Sequence, residues 1–155
     1  MPTYFYEYNI GKIGITEKEG KITNLYFIND KLSQDLQLYE TPILKEAAQQ
    51  LEMYFCGNLK EFSLPLDPHG TIFMKQVWEN LCKIPYGKTA SYKEIAVKVG
   101  NPNAARAVGL ANNRNPIPIF IPCHRVIGAN GSLTGYRGGI ELKKRLLEVE
   151  NIKII

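Results

Sequence analysis

Cys123 stands between Pro122 and His124, with Arg125 next, at the end of an apolar run. A thiol reacts through its thiolate, and an unperturbed cysteine with a pKa of about 8.5 is only a few per cent ionised at pH 7. A nearby imidazole or guanidinium that lowers this pKa by one or two units raises the reactive fraction about tenfold or more. These residue types suit a nucleophilic cysteine that carries its own base. Free cysteine is also among the most buried residue types, so a structural thiol fits the same positions. Cys56 and Cys82, each in or beside an apolar helical face, fit that second reading. Three cysteines and two histidines, unevenly spaced, make neither a disulfide framework nor a zinc ribbon. Unpaired thiols point to a reducing, intracellular compartment.

A second pattern lies upstream. Ala104-Ala105-Arg106-Ala107-Val108-Gly109 sets one long cation among small side chains. Small residues permit close helix packing with Arg106 solvated; equally, they make a helix slim enough for a narrow groove, with Arg106 reaching into a base stack. Charge by position bears on that choice. Residues 1–66 hold 6 Lys+Arg against 9 Asp+Glu, a net of −3, while residues 67–155 hold 13 against 6, a net of +7. A polyanion would meet the C-terminal part.

The elements that must position these groups can be read from periodicity. Residues 4–10, 13–16 and 22–28 are rich in β-formers, and Glu17-Lys18-Glu19-Gly20 suits a hairpin loop. Thr41-Pro42 supplies a cap and a first-turn proline for a helix whose face is Leu44, Ala47, Ala48, Leu51 and Tyr54, stopped by Gly57-Asn58. Residues 62–69, with Pro65 and Pro68, read as a linker. A helix from Thr71 to about Cys82 buries Phe73, Val77 and Leu81. Ser91 and Glu94 form a capping box for the next helix, lined by Tyr92, Ile95, Ala96 and Val99. After Gly100-Asn101-Pro102, Asn103 caps a helix over 104–112, which completes a helix-turn-helix layout. The run 117–121 alternates like a strand, but its prolines exclude a central sheet position. A last helix spans Ile140 to about Glu150 and is basic at Lys143-Lys144-Arg145.

At 155 residues, 45% apolar and 22% charged, the chain has the balance of a globular protein of one domain or two small ones. The apolar stretch from Ile117 to Pro122 falls well short of the about 20 residues a membrane span needs, and no basic residue precedes Lys12, so no secretory leader is expected. The expected fold is α+β: a small N-terminal α/β domain over 1–66, then a mainly helical domain over 67–155 with a winged-helix-like helix-turn-helix.

The segment Ile121-Pro122-Cys123-His124-Arg125-Val126-Ile127 resembles the active-site signature of the O6-alkylguanine-DNA alkyltransferases, also called methylated-DNA–protein-cysteine methyltransferases. The similarity extends through Gly70-Thr71-Ile72-Phe73, Ile84-Pro85-Tyr86-Gly87-Lys88-Thr89, Ser91-Tyr92 and Ala105-Arg106-Ala107-Val108-Gly109. Asn115-Pro116 precedes the cysteine and Gly135-Tyr136-Arg137-Gly138-Gly139 follows it, in the family's order and spacing across residues 62–155. The N-terminal third resembles the family less, though Tyr54-Phe55-Cys56-Gly57 fits its helix end.

The resemblance implies direct reversal of alkylation damage in duplex DNA, at O6-alkylguanine and also O4-alkylthymine, in a reaction used once per molecule without metal or cofactor. Cys123 would accept the alkyl group. His124 would generate the thiolate through a water, oriented by Glu150, and Asn115 would hold the turn before the cysteine. Tyr92 would donate a hydrogen bond to the departing guanine and crowd the target phosphate. Arg106 would fill the gap left by a flipped nucleotide, and Ala104, Ala105 and Ser91 would lie against the DNA. Pro118, Val126, Tyr136 and Arg137 would line the pocket; Arg137 replaces a small hydroxyl residue of some relatives and is expected to narrow it. No N-terminal Cys/His cluster is present for the structural zinc of some relatives. The expected partner is double-stranded DNA, not a membrane, met by a monomer in the cytoplasm, or in the nucleus of a eukaryote.

Three other classes compete. A lesion-flagging alkyltransferase-like binder lacks the acceptor cysteine, which is present here as Cys123. A winged-helix regulator would bury it structurally, and a cysteine hydrolase would turn over an acyl substrate.

Overall fold

Three strands at the N-terminus form by hairpin closure. The computed structural model describes residues 1–153. Strands β1 (Pro2–Tyr8), β2 (Gly11–Lys18) and β3 (Lys21–Phe27) pair antiparallel, and β4 (Gln37–Leu38) adds to β1 in parallel, giving the order β3-β2-β1-β4. Glu19 and Gly20, at φ 52° and 81°, make a two-residue turn with both centres left-handed, the geometry that matches strand twist. Thr3 faces Thr16 in register, and their buried hydroxyls meet at 2.7 Å. Helix α1 (Pro42–Phe55) begins where Thr41 accepts from the Leu44 amide and donates to the Glu17 carboxylate at 3.0 Å. Its buried face, Leu44, Ala47, Leu51 and Tyr54, covers a core of Ile13, Ile15, Ile22 and Leu25. The strands and this helix stand where periodicity put them; β4 does not show in the sequence because two exposed residues carry no alternation. The expected linker is also tied down more than its prolines suggest, since Ile22 N–H donates to the Pro65 carbonyl at 2.9 Å and Asp67 N–H to the Ile22 carbonyl at 2.8 Å.

Two compact units divide the chain, one over Met1–His69 and the other beginning at Gly70. The second is mainly helical, so the whole is mixed α+β. Helix α2 (Ile72–Leu81) is capped by Thr71 and buries Val77, Trp78 and Leu81. Phe73, expected in the core, is only half-buried; Trp78 takes the central place, 2% exposed, with its indole N–H on the Ala111 carbonyl at 2.9 Å. A Cβ at Gly70 would land on that indole ring. Gly70→Ala is therefore expected to destabilise the fold by about 1–3 kcal/mol, read as a lower urea midpoint.

Helices α3 (Tyr92–Lys98) and α4 (Ala105–Asn113) make the helix-turn-helix, and the Ser91–Glu94 capping box is fully formed. Asn103 is not the cap of α4. The turn is closed by Asn101, whose side chain accepts from the Asn103 amide at 3.2 Å, and Ala104 stands at the N-cap of α4, which has no side-chain cap. A short parallel ladder of β5 (Ala90–Ser91) and β6 (Val126–Ile127) joins the start of α3 to the chain leaving Cys123. Helix α5 (Ile140–Val149) packs Leu146 and Leu147 inward. Among the described residues, no helix is long and apolar enough to cross a membrane.

Candidate active site

The approach to Cys123 is shaped by two asparagines. Asn115 donates to the Ile121 carbonyl at 2.9 Å and accepts from the Ile117 amide at 3.0 Å, pinning both ends of the proline-rich segment, which is buried and irregular rather than a strand. Asn112, at the end of α4, donates to the Cys123 carbonyl at 3.3 Å. Pro122, at φ −79° and ψ 64°, makes an inverse γ-turn closed by Cys123 N–H on the Ile121 carbonyl at 2.7 Å. Residues Cys123–Arg125 then form one 3-10 turn.

Cys123 is 4% exposed, and burial pushes its thiol up from the ordinary value. Asn115 and Tyr136, with the charges of Arg137 and Lys143, oppose the rise without cancelling it. Adjacent His124 and Arg125 are residue types that can lower a thiol pKa, but here burial prevails, and the thiol is protonated until a base takes its proton. In the tight turn the three side chains diverge. Arg125 turns away, donating to both Glu150 oxygens at 2.9 and 3.1 Å and to the Ile84 carbonyl at 2.7 Å, with its guanidinium 5.9 Å from the Tyr86 ring centre.

His124 is fully buried, with Nε2 2.7 Å from Glu150 Oε2. Burial lowers its pKa against the pull of Glu150, so the ring is neutral at pH 7. Burial alone would raise the Glu150 pKa; the His124 hydrogen bond and charge, Arg125 and the Gly87 amide outweigh it and hold the carboxyl at about 2. An ionised carboxylate at Nε2 requires the proton there, which leaves the Nδ1 lone pair as the basic site. The residues 84–87 are the cradle of this pair: Ile84 and Gly87 contribute backbone bonds, and Tyr86 donates from its hydroxyl to the Val149 carbonyl at 3.2 Å.

Lys143 is a finding. Expected as part of a basic helix face, it is 0% exposed, its Nζ donates to the Thr134 carbonyl at 3.3 Å, and burial lowers its pKa to about 8 against the raising effect of Cys123. The signal was present: Lys143, Leu146, Leu147 and Glu150 share one helical face. Thr134 and Asn112 were also missed, having no motif to mark them. Arg137 is exposed, and its charge acts on the Cys123 thiol. Arg137→Ser is expected to move the pH profile of Cys123 alkylation upward, measured by peptide mass to separate it from exposed Cys56 and Cys82.

The remaining expected residues are placed as follows. Tyr92 opens α3 and hydrogen-bonds the Thr134 hydroxyl, and its ring packs beside Gly109. The Ser91 hydroxyl is engaged in its cap. Arg106 is exposed on α4, without a hydrogen-bond or ion-pair partner among the described residues, and Ala104 and Ala105 are half-buried. Tyr136 is 9% exposed and faces the sulfur. Pro118 and Val126 are both buried, Val126 completely, and Val126 pairs with Ala90 in the short ladder.

Two family models match this chain: 6-O-methylguanine DNA methyltransferase, DNA binding domain, over residues 72–152, and 6-O-methylguanine DNA methyltransferase, ribonuclease-like domain, over residues 3–68. The chain belongs to the 6-O-methylguanine DNA methyltransferase family. A methylated-DNA–protein-cysteine methyltransferase of Methanosarcina barkeri is 51% identical over 144 residues, covering 91% of each chain. The constitutive methyltransferase of Bacillus subtilis is 49% identical, covering 92% of this chain and 91% of its own. Among solved structures, a Mycobacterium tuberculosis OGT in complex with DNA superposes with a TM-score of 0.92 at 45% identity, covering 97% of this chain and 92% of that one.

Proposed function

We propose that this protein repairs duplex DNA by moving the alkyl group of O6-alkylguanine, and of O4-alkylthymine, onto Cys123. The observation that carries the proposal is the buried His124–Glu150 hydrogen bond of 2.7 Å immediately behind the cysteine, locked by Arg125. Such a nucleophile, base and orienter follow the logic of a catalytic triad. His124 takes the thiol proton at Nδ1 through a water, and Glu150 stabilises the imidazolium. The sulfur attacks the alkyl carbon, the carbon–oxygen bond breaks, and guanine leaves with a hydrogen bond from Tyr92. The product is a thioether, a poor target for water, so each molecule acts once. Asn115 holds the turn, and Tyr136 and Arg137 border the sulfur.

A stacked guanine offers no in-line path to its alkyl carbon, so the nucleotide is flipped out at a cost of a few kcal/mol. Arg106 fills the vacated stack. Ala104 and Ala105 let α4 enter a minor groove about 6 Å wide, and Ser91 lies at the same face. Residues 67–155 carry DNA binding and alkyl acceptance, and their net charge supplies sequence-independent affinity that weakens with salt. The three free thiols suit a reducing compartment, the cytoplasm or a eukaryotic nucleus.

Restored guanine, counted against protein after incubation with an O6-methylguanine duplex, is expected to stop at one per chain. Continued release would replace this reading with a turnover enzyme. Arg106→Ala is expected to slow transfer from duplex DNA by about 5- to 150-fold while transfer from a free alkylated base stays unchanged, since one base–side-chain stack is worth roughly 1–3 kcal/mol. Equal losses on both substrates would remove the stacking role.

A further inference from the structure

Thr134 lies in the loop between β6 and α5, and three elements meet on it. Its backbone carbonyl accepts from fully buried Lys143 of α5 at 3.3 Å. Its hydroxyl hydrogen-bonds the phenol of Tyr92, the first residue of α3. Two residues on, the Tyr136 hydroxyl faces the Cys123 sulfur. Backbone and side chain of one threonine are thus each engaged, by α5 and by α3.

A phenol and an aliphatic hydroxyl each have one proton and two acceptor sites. In the free protein either partner can donate. Once Tyr92 aims its proton at a departing base, its oxygen can only accept, and Thr134 Oγ1–H is the donor already in contact. We propose that Thr134 is a positioning residue for alkyl transfer: its hydroxyl reverses from accepting the Tyr92 proton to donating to the Tyr92 oxygen, which directs the phenol at the leaving base. The bond also steadies the negative charge that builds on the phenol oxygen as it gives hydrogen-bond strength to guanine. Lys143 serves the same end by holding the Thr134 carbonyl, so that the hydroxyl keeps its direction. This inference rests on the reading that Tyr92 hydrogen-bonds the leaving guanine.

Valine matches threonine in size and removes the hydroxyl, whereas serine keeps it. Thr134→Val is expected to slow single-turnover transfer from O6-methylguanine duplex about tenfold, the scale of one hydrogen bond to a charged group. Thr134→Ser is expected to recover most of the rate, and duplex affinity to stay unchanged in both. A structural role would slow all substrates alike. Here the Thr134→Val defect is expected to shrink toward none on free O6-benzylpurines with electron-withdrawing substituents, whose less basic leaving groups need less help. In a Tyr92→Phe background, Thr134→Val is expected to add no further loss. A normal rate for Tyr92→Phe would remove the role of Tyr92 and that of Thr134 with it. A slow Tyr92→Phe beside a normal Thr134→Val, a defect independent of leaving group, or additive losses would overturn the Thr134 role alone.

Discussion

Replacing Cys123 with alanine is expected to abolish alkyl transfer while leaving affinity for damaged duplex intact. The sulfur is the atom that forms the new bond, and alanine offers nothing at that position to accept the alkyl group. The side chain is small and 4% exposed, so its truncation opens little space and costs on the order of 1 kcal/mol. In the proposed function DNA affinity rests instead on the basic face and α4, which the substitution does not touch. Fluorescence anisotropy on a lesion-bearing duplex and a transfer assay on the same sample separate the two. Loss of binding together with transfer would make Cys123 a structural thiol. Cys56→Ala and Cys82→Ala, at exposed positions, are expected to transfer at the unaltered rate.

Removing Glu150 is expected to have the largest effect on stability. Glu150→Ala leaves the Arg125 guanidinium and the His124 ring buried without their carboxylate, and breaking such a pair costs about 3–5 kcal/mol. The same carboxyl sets the acid limit of the fold. It is held at about 2 against an ordinary 4.5, so the unfolded chain binds a proton that the folded chain refuses. The resulting stability is complete above about pH 4.5 and disappears as pH falls toward 2. His124 acts in the same direction: its folded pKa lies below 6.5, so stability begins to decline as pH drops through that value. Urea midpoints measured from pH 7 downward are expected to fall in both windows, and in Glu150→Gln the lower window is expected to flatten. An unchanged acid profile in that variant would show that the pair contributes nothing to pH-dependent stability.

Much of this site was legible in the residues. Caps are local chemistry, which is why Thr41, Thr71 and Ser91 mark three helix starts correctly. Asn103 failed because two asparagines compete in one turn, and Asn101 takes the hydrogen bond that closes it. The cysteine turn was recognised as a motif, yet adjacency does not set the state of the thiol: neighbours in a 3-10 turn point to different places, and Arg125 serves Glu150. Burial explains the other misses. Lys143 and Arg125 are cations that become readable as interior groups only when the helical face of α5 is followed through Glu150. Thr134 and Asn112 act through single long-range hydrogen bonds, which leave no periodic trace. The half-buried Phe73 and central Trp78 lie five residues apart, about 140° around the helix, and packing of Trp78 against α4 decides which of them is buried.

The most direct measurement is a peptide mass map after reaction with a duplex carrying one O6-methylguanine. Exactly one of the three cysteine peptides, the one containing Cys123, is expected to gain one methyl group, in an amount equal to the guanine restored. A methyl on Cys56 or Cys82, or a fully repaired duplex beside unmodified protein, would contradict the assignment of Cys123 as the acceptor.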